Sequence, residues 1–176
     1  MKSASRPVAG ALEFGTIITK DCMKIFSRGP FAAIFWGGLL AGLFDLTQAF
    51  IAFSLTGSTP FRILQGVASG IFGPHSRQMG STSAAIGLLC HFTIAFGAAT
   101  VYSLLSRRIR ALVEHPVIAG LIYGELVFMF MYWVVIPLSA IGHVRYNLAT
   151  YLTGPIGHPL LIGLPIALCV RHFARM

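Results

Sequence analysis

Residues 31–56 read FAAIFWGGLLAGLFDLTQAFIAFSLT, and this stretch decides the fold class of the chain. Its length suits a transmembrane helix, which needs roughly 17–25 mainly apolar residues to cross a hydrocarbon layer of about 30 Å. Similar runs follow at about 81–105, 117–140 and 158–174. They lack the alternation of polar and apolar residues that marks barrel strands. Because only helices and closed barrels satisfy their backbone groups in lipid, the sequence predicts an all-α integral membrane protein with four transmembrane helices.

The composition of the chain excludes several other classes. Apolar residues make up 56% of the 176 residues and charged ones only 10%, and the mean hydropathy is +0.78. An ordinary soluble domain carries roughly 25% charged residues, and a disordered chain is far less apolar. The net charge of +8 comes from basic residues spread along the chain rather than gathered into one segment. We therefore expect membrane lipid, and no nucleic acid, as a partner.

The basic residues also predict the orientation of the chain. Ten of the 13 lysines and arginines lie in the N-terminal segment, in the loop after the second span or at the C-terminus. This bias predicts that both termini lie in the cytoplasm. We divide the chain into a cytoplasmic or interfacial segment, 1–30, and a transmembrane domain, 31–176. Apolar residues at helical spacing in the first segment predict an amphipathic helix on the lipid surface; the alternative is a leader that only carries topogenic charge.

The two halves of the chain resemble each other. Residues 41–51 (AGLFDLTQAFI) are similar to residues 119–129 (AGLIYGELVFM). Two helix–loop–helix units that both start inside would form parallel repeats about an axis along the membrane normal. In that case segments 60–72 and 144–152 are short helices at the outer face. Chance similarity between apolar helices is the alternative.

Four polar side chains lie within the spans. Asp45 is near the middle of the first span, where an aspartate costs roughly 2.5–3.5 kcal/mol, and Gln48 shares its face. His91 is at the same depth in the second span, so we expect a hydrogen bond between Asp45 and His91. Glu125 is nearer the cytoplasmic end of the third span. These residues form either a path for protons or solute, or a polar contact that holds the helices together.

Glycines at four-residue spacing predict close contacts between helices. Gly38 and Gly42 in the first span, and Gly120 and Gly124 in the third, match the small-xxx-small pattern. Such a pattern lets two helix backbones approach closely, because neither helix carries a side chain at the contact. Packing within the chain is the favoured interpretation, and contact between two copies of the chain is the alternative.

No residue pattern points to an enzyme or to a cofactor. The chain has no G-x-S-x-G, H-E-x-x-H or P-loop motif. His75, His143 and His158 are expected at the outer face, but their spacing matches no zinc or copper motif. The cysteines form no C-x-x-C pair. We expect no catalytic residue, no metal and no cofactor.

Three segments of the second half resemble a known family. They are HFTIAFGAATVYSLLSRRIRAL at 91–112, HPVIAGLIYGELVFMFMYWVVIPLS at 115–139, and a last helix that follows Gly157 and His158 and ends in VRHFAR. The layout is similar to that of the YagU-like bacterial inner-membrane proteins, over roughly residues 85–175. The resemblance implies a small four-span inner-membrane protein, in a family of unknown function without known cofactor or catalytic residues.

These observations favour a non-enzymatic membrane protein. We expect an oligomeric or accessory subunit that binds lipid or a partner membrane protein, because the chain is small, has packing glycines and lacks catalytic motifs. The alternative is a small proton-coupled transporter or channel that uses the Asp45, His91 and Glu125 side chains.

Overall fold

The computed structural model of the chain describes residues 29–142 and 148–174. Within them lie four helices long and apolar enough to cross a membrane, and no strand. The all-α membrane fold with four spans is thereby confirmed. The predicted N-terminal amphipathic helix lies outside the described residues. The four spans, numbered first to fourth, are Pro30–Ser54, Gly80–Ser106, Pro116–Leu138 and Leu152–Ala174.

Shorter helices join the spans. A connecting helix, Pro60–Phe72, and a 3-10 helix, Gly73–Gln78, lie between the first and second spans. Single turns follow at Ala111–Glu114 and Leu148–Tyr151. The connecting helix begins with a proline, whose missing N–H costs no helical hydrogen bond at that position. The Thr59 hydroxyl before it accepts a hydrogen bond from the backbone N–H of Arg62 at 3.3 Å.

The fourth span departs from α-helical geometry over its first half. Leu152–Gly163 form a π-helix that contains Pro155 and Pro159, and at its end the Leu164 N–H bonds the carbonyl of Pro159, five residues back. Prolines donate no backbone hydrogen bond, so an α-helix through both would lose two of its bonds. The span begins at Leu152 rather than at His158, because packing against neighbouring helices supports a segment whose prolines and glycines predict a loop.

The first and fourth spans lie at the centre of the bundle. The first span packs against the second and fourth spans, and the third span packs against the fourth. The second and third spans meet through Tyr102 and Tyr123, whose ring centroids are 4.9 Å apart. The first and fourth spans pack closely, whereas the second and third spans meet mainly through this tyrosine pair. The two halves therefore do not pack equivalently, and the internal repeat stays a prediction.

Both predicted glycine pairs lie at contacts within the chain. A Cβ at Gly38 or Gly42 would overlap a phenylalanine ring of the second span. A Cβ at Gly120 or Gly124 would overlap backbone atoms of the fourth span. Small residues also dominate the buried core between the spans, and this core includes Ala33, Ala41, Ala99, Tyr102, Ile162, Ile166, Ala167 and Val170.

Candidate functional site

The four polar residues singled out in the sequence do not form one cluster. Asp45 and Gln48 face the fourth span, where the His158 imidazole lies within ion-pair distance of Asp45 and the Leu152 carbonyl accepts a hydrogen bond from Gln48. The His91 side chain bonds the backbone of the first span instead. The site that the structure assembles is therefore the contact between the first and fourth spans.

The predicted pairing of Asp45 with His91 is wrong. Nε2 of His91 lies 2.9 Å from the carbonyl oxygen of Gly42 and ties the second span to the first. Gly42 is three residues before Asp45, so the predicted depth of His91 agrees with the structure. The direction of the Asp45 side chain differs from the prediction. On the first span, Asp45 faces the fourth span, whereas Gly42 faces the second. Depth follows from position along a helix, whereas direction depends on how the helices pack.

Asp45 is paired with His158. Its Oδ1 lies 3.9 Å from Nδ1 of His158, and each side chain is 16% exposed. The same Nδ1 lies only 2.6 Å from the carbonyl oxygen of Thr153, to which it must donate because a carbonyl only accepts. The hydrogen of Nδ1 is thus committed to Thr153, and Asp45 Oδ1 accepts no hydrogen bond from the described residues. His158 was expected at the outer face and instead lies within the fourth span.

Gln48 forms the second contact between these spans. Its Nε2 donates to the carbonyl oxygen of Leu152 at 2.6 Å. Gly157 makes this possible, since a Cβ at that position would overlap the Gln48 amide. The amide oxygen of Gln48 is buried and, like Asp45 Oδ1, accepts no hydrogen bond from the described residues. Two buried acceptors on successive turns of the first span therefore lack a donor.

The π-helix supplies the carbonyls that these side chains reach. Pro155 and Pro159 lie in this π-helix, four residues apart, and neither has a backbone N–H to donate. At its start, Gln48 Nε2 donates to the carbonyl oxygen of Leu152 and His158 Nδ1 donates to that of Thr153. The sequence did not point to His158 as a member of the site. The signal that could have found it is the pair Pro155 and Pro159, because broken helices expose backbone oxygens inside membrane proteins.

Glu125 does not join this site. Its side chain is half-buried on the third span and forms no ion pair with a described residue. The hydroxyls of Tyr102 and Tyr123 bind backbone oxygens: Tyr102 donates to the Leu112 carbonyl at 2.9 Å, and Tyr123 donates to the Ala98 carbonyl at 2.7 Å. The predicted relay from Glu125 through Asp45 and His91 is therefore not assembled.

An open groove of about 390 Å³ lies beside the polar contact, between the first and fourth spans. Its wall is almost wholly apolar, with the Gln48 side chain as a polar member. Ile51 and Leu55 on its rim are 64% and 74% exposed. The lining residues are Phe44, Thr47, Gln48, Ile51, Ala52, Leu55, Leu152 and Leu161.

The described residues offer no cluster of three histidine, cysteine or acidic side chains that could hold a metal. His75 lies in the 3-10 helix and His158 in the fourth span, and His143 is outside the described residues. The thiols of Cys90 and Cys169 are free and half-buried.

No protein-family model matches the chain, and comparisons with curated proteins and with solved structures gave no match. The resemblance to the YagU-like proteins stays a prediction. Function is therefore inferred from the groove and from the polar contact beside it.

Proposed function

We propose that this chain is a non-enzymatic multi-pass membrane protein that binds a membrane lipid between its first and fourth spans. The observation that carries the proposal is the groove of about 390 Å³ described above. It opens on the outside of a bundle whose surface faces lipid. Apolar walls of this kind favour an acyl chain, because burial of apolar surface is non-directional and needs no specific headgroup.

Gln48 is a polar residue in the wall of the groove. The amide oxygen of this side chain accepts no hydrogen bond from the described residues. Because this oxygen is buried, the contact that the groove offers to a lipid is almost wholly apolar.

We further propose that the protein acts as an oligomeric or accessory subunit of a bacterial inner membrane, with both termini in the cytoplasm. The bias of basic residues supports the orientation. The third span supports assembly, since Trp133 and Leu138 are 72% and 83% exposed on it. A second copy of the chain or a partner membrane protein could pack there, in competition with lipid.

Native mass spectrometry of the protein extracted gently from its own membrane tests the lipid proposal. We expect phospholipid to stay bound in a fixed ratio to the wild-type chain. Ile51→Trp places a larger ring on the groove rim and is expected to lower the retained lipid several-fold. Ile122→Trp is the matched control, because Ile122 is 57% exposed on another span and lies outside the groove. Absence of stoichiometric lipid, or equal retention in the two variants, would contradict the proposal.

A small proton-coupled transporter is a second candidate function. The observation that favours it is the Asp45–His158 pair, because ionisable residues within a span are costly and commonly serve transport. The π-helix with its two prolines also fits, since broken helices line the ion sites of transporters. Flux in liposomes tests this candidate: Asp45→Asn should abolish proton-driven uptake, while Glu125→Gln should retain it. Unchanged flux in Asp45→Asn would exclude the pair as the coupling site.

A further inference from the structure

Two side-chain oxygens of the first span accept no hydrogen bond from the described residues. They are Oδ1 of Asp45 and the amide oxygen of Gln48, and both are buried. The residues are three positions apart on the first span and so share one face. A buried carboxylate oxygen that accepts no hydrogen bond is costly to hold within a membrane protein.

His158 does not supply the missing donor. Its Nδ1 hydrogen is given to the Thr153 carbonyl at 2.6 Å, and Asp45 Oδ1 is 3.9 Å away, beyond hydrogen-bond distance. The other charged groups of the described residues form no ion pair with Asp45. Asp45 Oδ1 therefore lacks a hydrogen-bond donor among the described residues, and the only side chain of those residues within ion-pair distance is the His158 imidazole.

A flip of the Gln48 side-chain amide, which would exchange its oxygen and nitrogen, does not remove the unpaired acceptor. A flipped amide would place its oxygen 2.6 Å from the carbonyl oxygen of Leu152, where the amide nitrogen now donates. Two acceptors at that distance repel each other, so the amide orientation follows from the contact. The oxygen of Gln48 remains an acceptor in the same region as Asp45.

We infer that Asp45 and Gln48, together with the carbonyls at the start of the fourth span, bind a monovalent metal cation of the Na⁺ class. All candidate ligands are oxygens: a carboxylate, an amide oxygen and the backbone carbonyls of Leu152 and Thr153. Hard cations prefer such ligands. In transporters, carbonyls of unwound helices coordinate Na⁺ in the same way.

The charge of the site selects a monovalent ion. Asp45 is the one acidic residue at this contact among the described residues, and Gln48 is neutral. One negative charge balances one positive charge, whereas a divalent ion would leave an excess charge within the span. Nδ1 of His158 does not compete as a ligand, since it carries the hydrogen that it donates to the Thr153 carbonyl.

The inference goes beyond the lipid proposal, and it places Na⁺ at the carboxylate to which the transporter candidate assigns a proton. Any role of Na⁺ in coupling would rest on that candidate. Occupancy of the site would link the first span to the π-helical half of the fourth. A cation that binds only the folded bundle raises its stability by mass action. Binding can therefore be measured without knowing any transported solute.

Thermal unfolding of the full-length protein in detergent tests the site, with NaCl replaced by choline chloride at equal concentration. We expect the unfolding temperature of the wild type to rise by about 3–6 °C when Na⁺ reaches roughly ten times its dissociation constant. Choline, which is too large for the site, should give no rise. Asp45→Asn should lose the Na⁺ response, because it removes the charge but keeps the shape. Glu125→Gln is the matched control and should keep it.

Direct binding of ²²Na⁺ to the wild type covers the case in which Asp45→Asn fails to fold. Binding near one ion per chain, lowered at least tenfold in Gln48→Ala, would support the site. Equal unfolding temperatures in NaCl, LiCl, KCl and choline chloride, without ²²Na⁺ binding, would overturn it. Ile51→Trp, the variant that tests the lipid groove, should keep the Na⁺ response. The two proposals can therefore fail independently of each other. If Na⁺ binds but liposomes show no flux, the cation site is supported and the transporter candidate is contradicted.

Discussion

The Cα of Gly157 lies against the side-chain amide of Gln48, and a Cβ at position 157 would overlap both polar atoms of that amide. The contact holds the amide where it can donate to the carbonyl of Leu152. One glycine thus allows the fourth span to approach the first closely enough for a polar side chain to satisfy a backbone oxygen.

Gly157→Ala should lower the free energy of unfolding by about 1–3 kcal/mol, because the methyl group displaces the Gln48 amide and leaves the Leu152 carbonyl without its donor. Titration with SDS or another denaturing detergent would measure the change. Gly97→Ala is the control, since no atom lies within 4 Å of a Cβ there. It should leave stability unchanged or raise it by up to about 1 kcal/mol. An equal loss of unfolding free energy in both variants would show that the contact between Gly157 and Gln48 does not contribute to stability.

Gly124→Ala should cost more than Gly157→Ala. A Cβ at Gly124 would overlap backbone atoms of His158 and Pro159, which cannot swing aside as a side-chain amide can. We expect a loss at or above the upper end of about 1–3 kcal/mol, measured by the same detergent titration. A loss smaller than that of Gly157→Ala would mean that the third span moves away from the fourth at little cost.

The pairing of Asp45 with His158 predicts energetic coupling between these residues. His158→Phe removes the imidazole beside the carboxylate, and Asp45→Asn removes the charge that the imidazole faces. In a double-mutant cycle, we expect the two changes to deviate from additivity by at least about 0.5 kcal/mol. The cycle of Asp45→Asn with His91→Phe is the control and should be closer to additive, because His91 bonds the Gly42 carbonyl. Stronger coupling to His91 would restore the pairing predicted from the sequence.

Tyr102→Phe should lower the free energy of unfolding by about 0.5–1.5 kcal/mol, since the hydroxyl donates to the Leu112 carbonyl at 2.9 Å. The ring itself is fully buried and its packing is retained by phenylalanine. Thermal unfolding followed by tryptophan fluorescence would record the loss. Thr47→Val serves as a control, because the exposed Thr47 hydroxyl bonds only a carbonyl of its own helix. A loss in Thr47→Val as large as that in Tyr102→Phe would argue against a role for the interhelical bond.

Much of the fold could be predicted because hydropathy acts locally. The run that contains Asp45 is long and apolar enough to cross a membrane whatever its neighbours are, and so are the runs of the second and third spans. The depth of Asp45, Gln48 and His91 follows from the constant rise of a helix. The start of the fourth span was harder to predict, since Pro155 and Pro159 predict a loop in isolation and a π-helix only when packed.

The sequence by itself determined that this chain crosses a membrane and which residues lie deep within it, because both depend on composition and on distance along a helix. Only the tertiary structure decided that Asp45 faces His158 rather than His91, and that Gln48 meets Leu152. Rotation of a helix about its axis is set by the side chains of its neighbours. The partners of a buried polar group therefore follow from packing, whereas its presence in the membrane follows from the sequence.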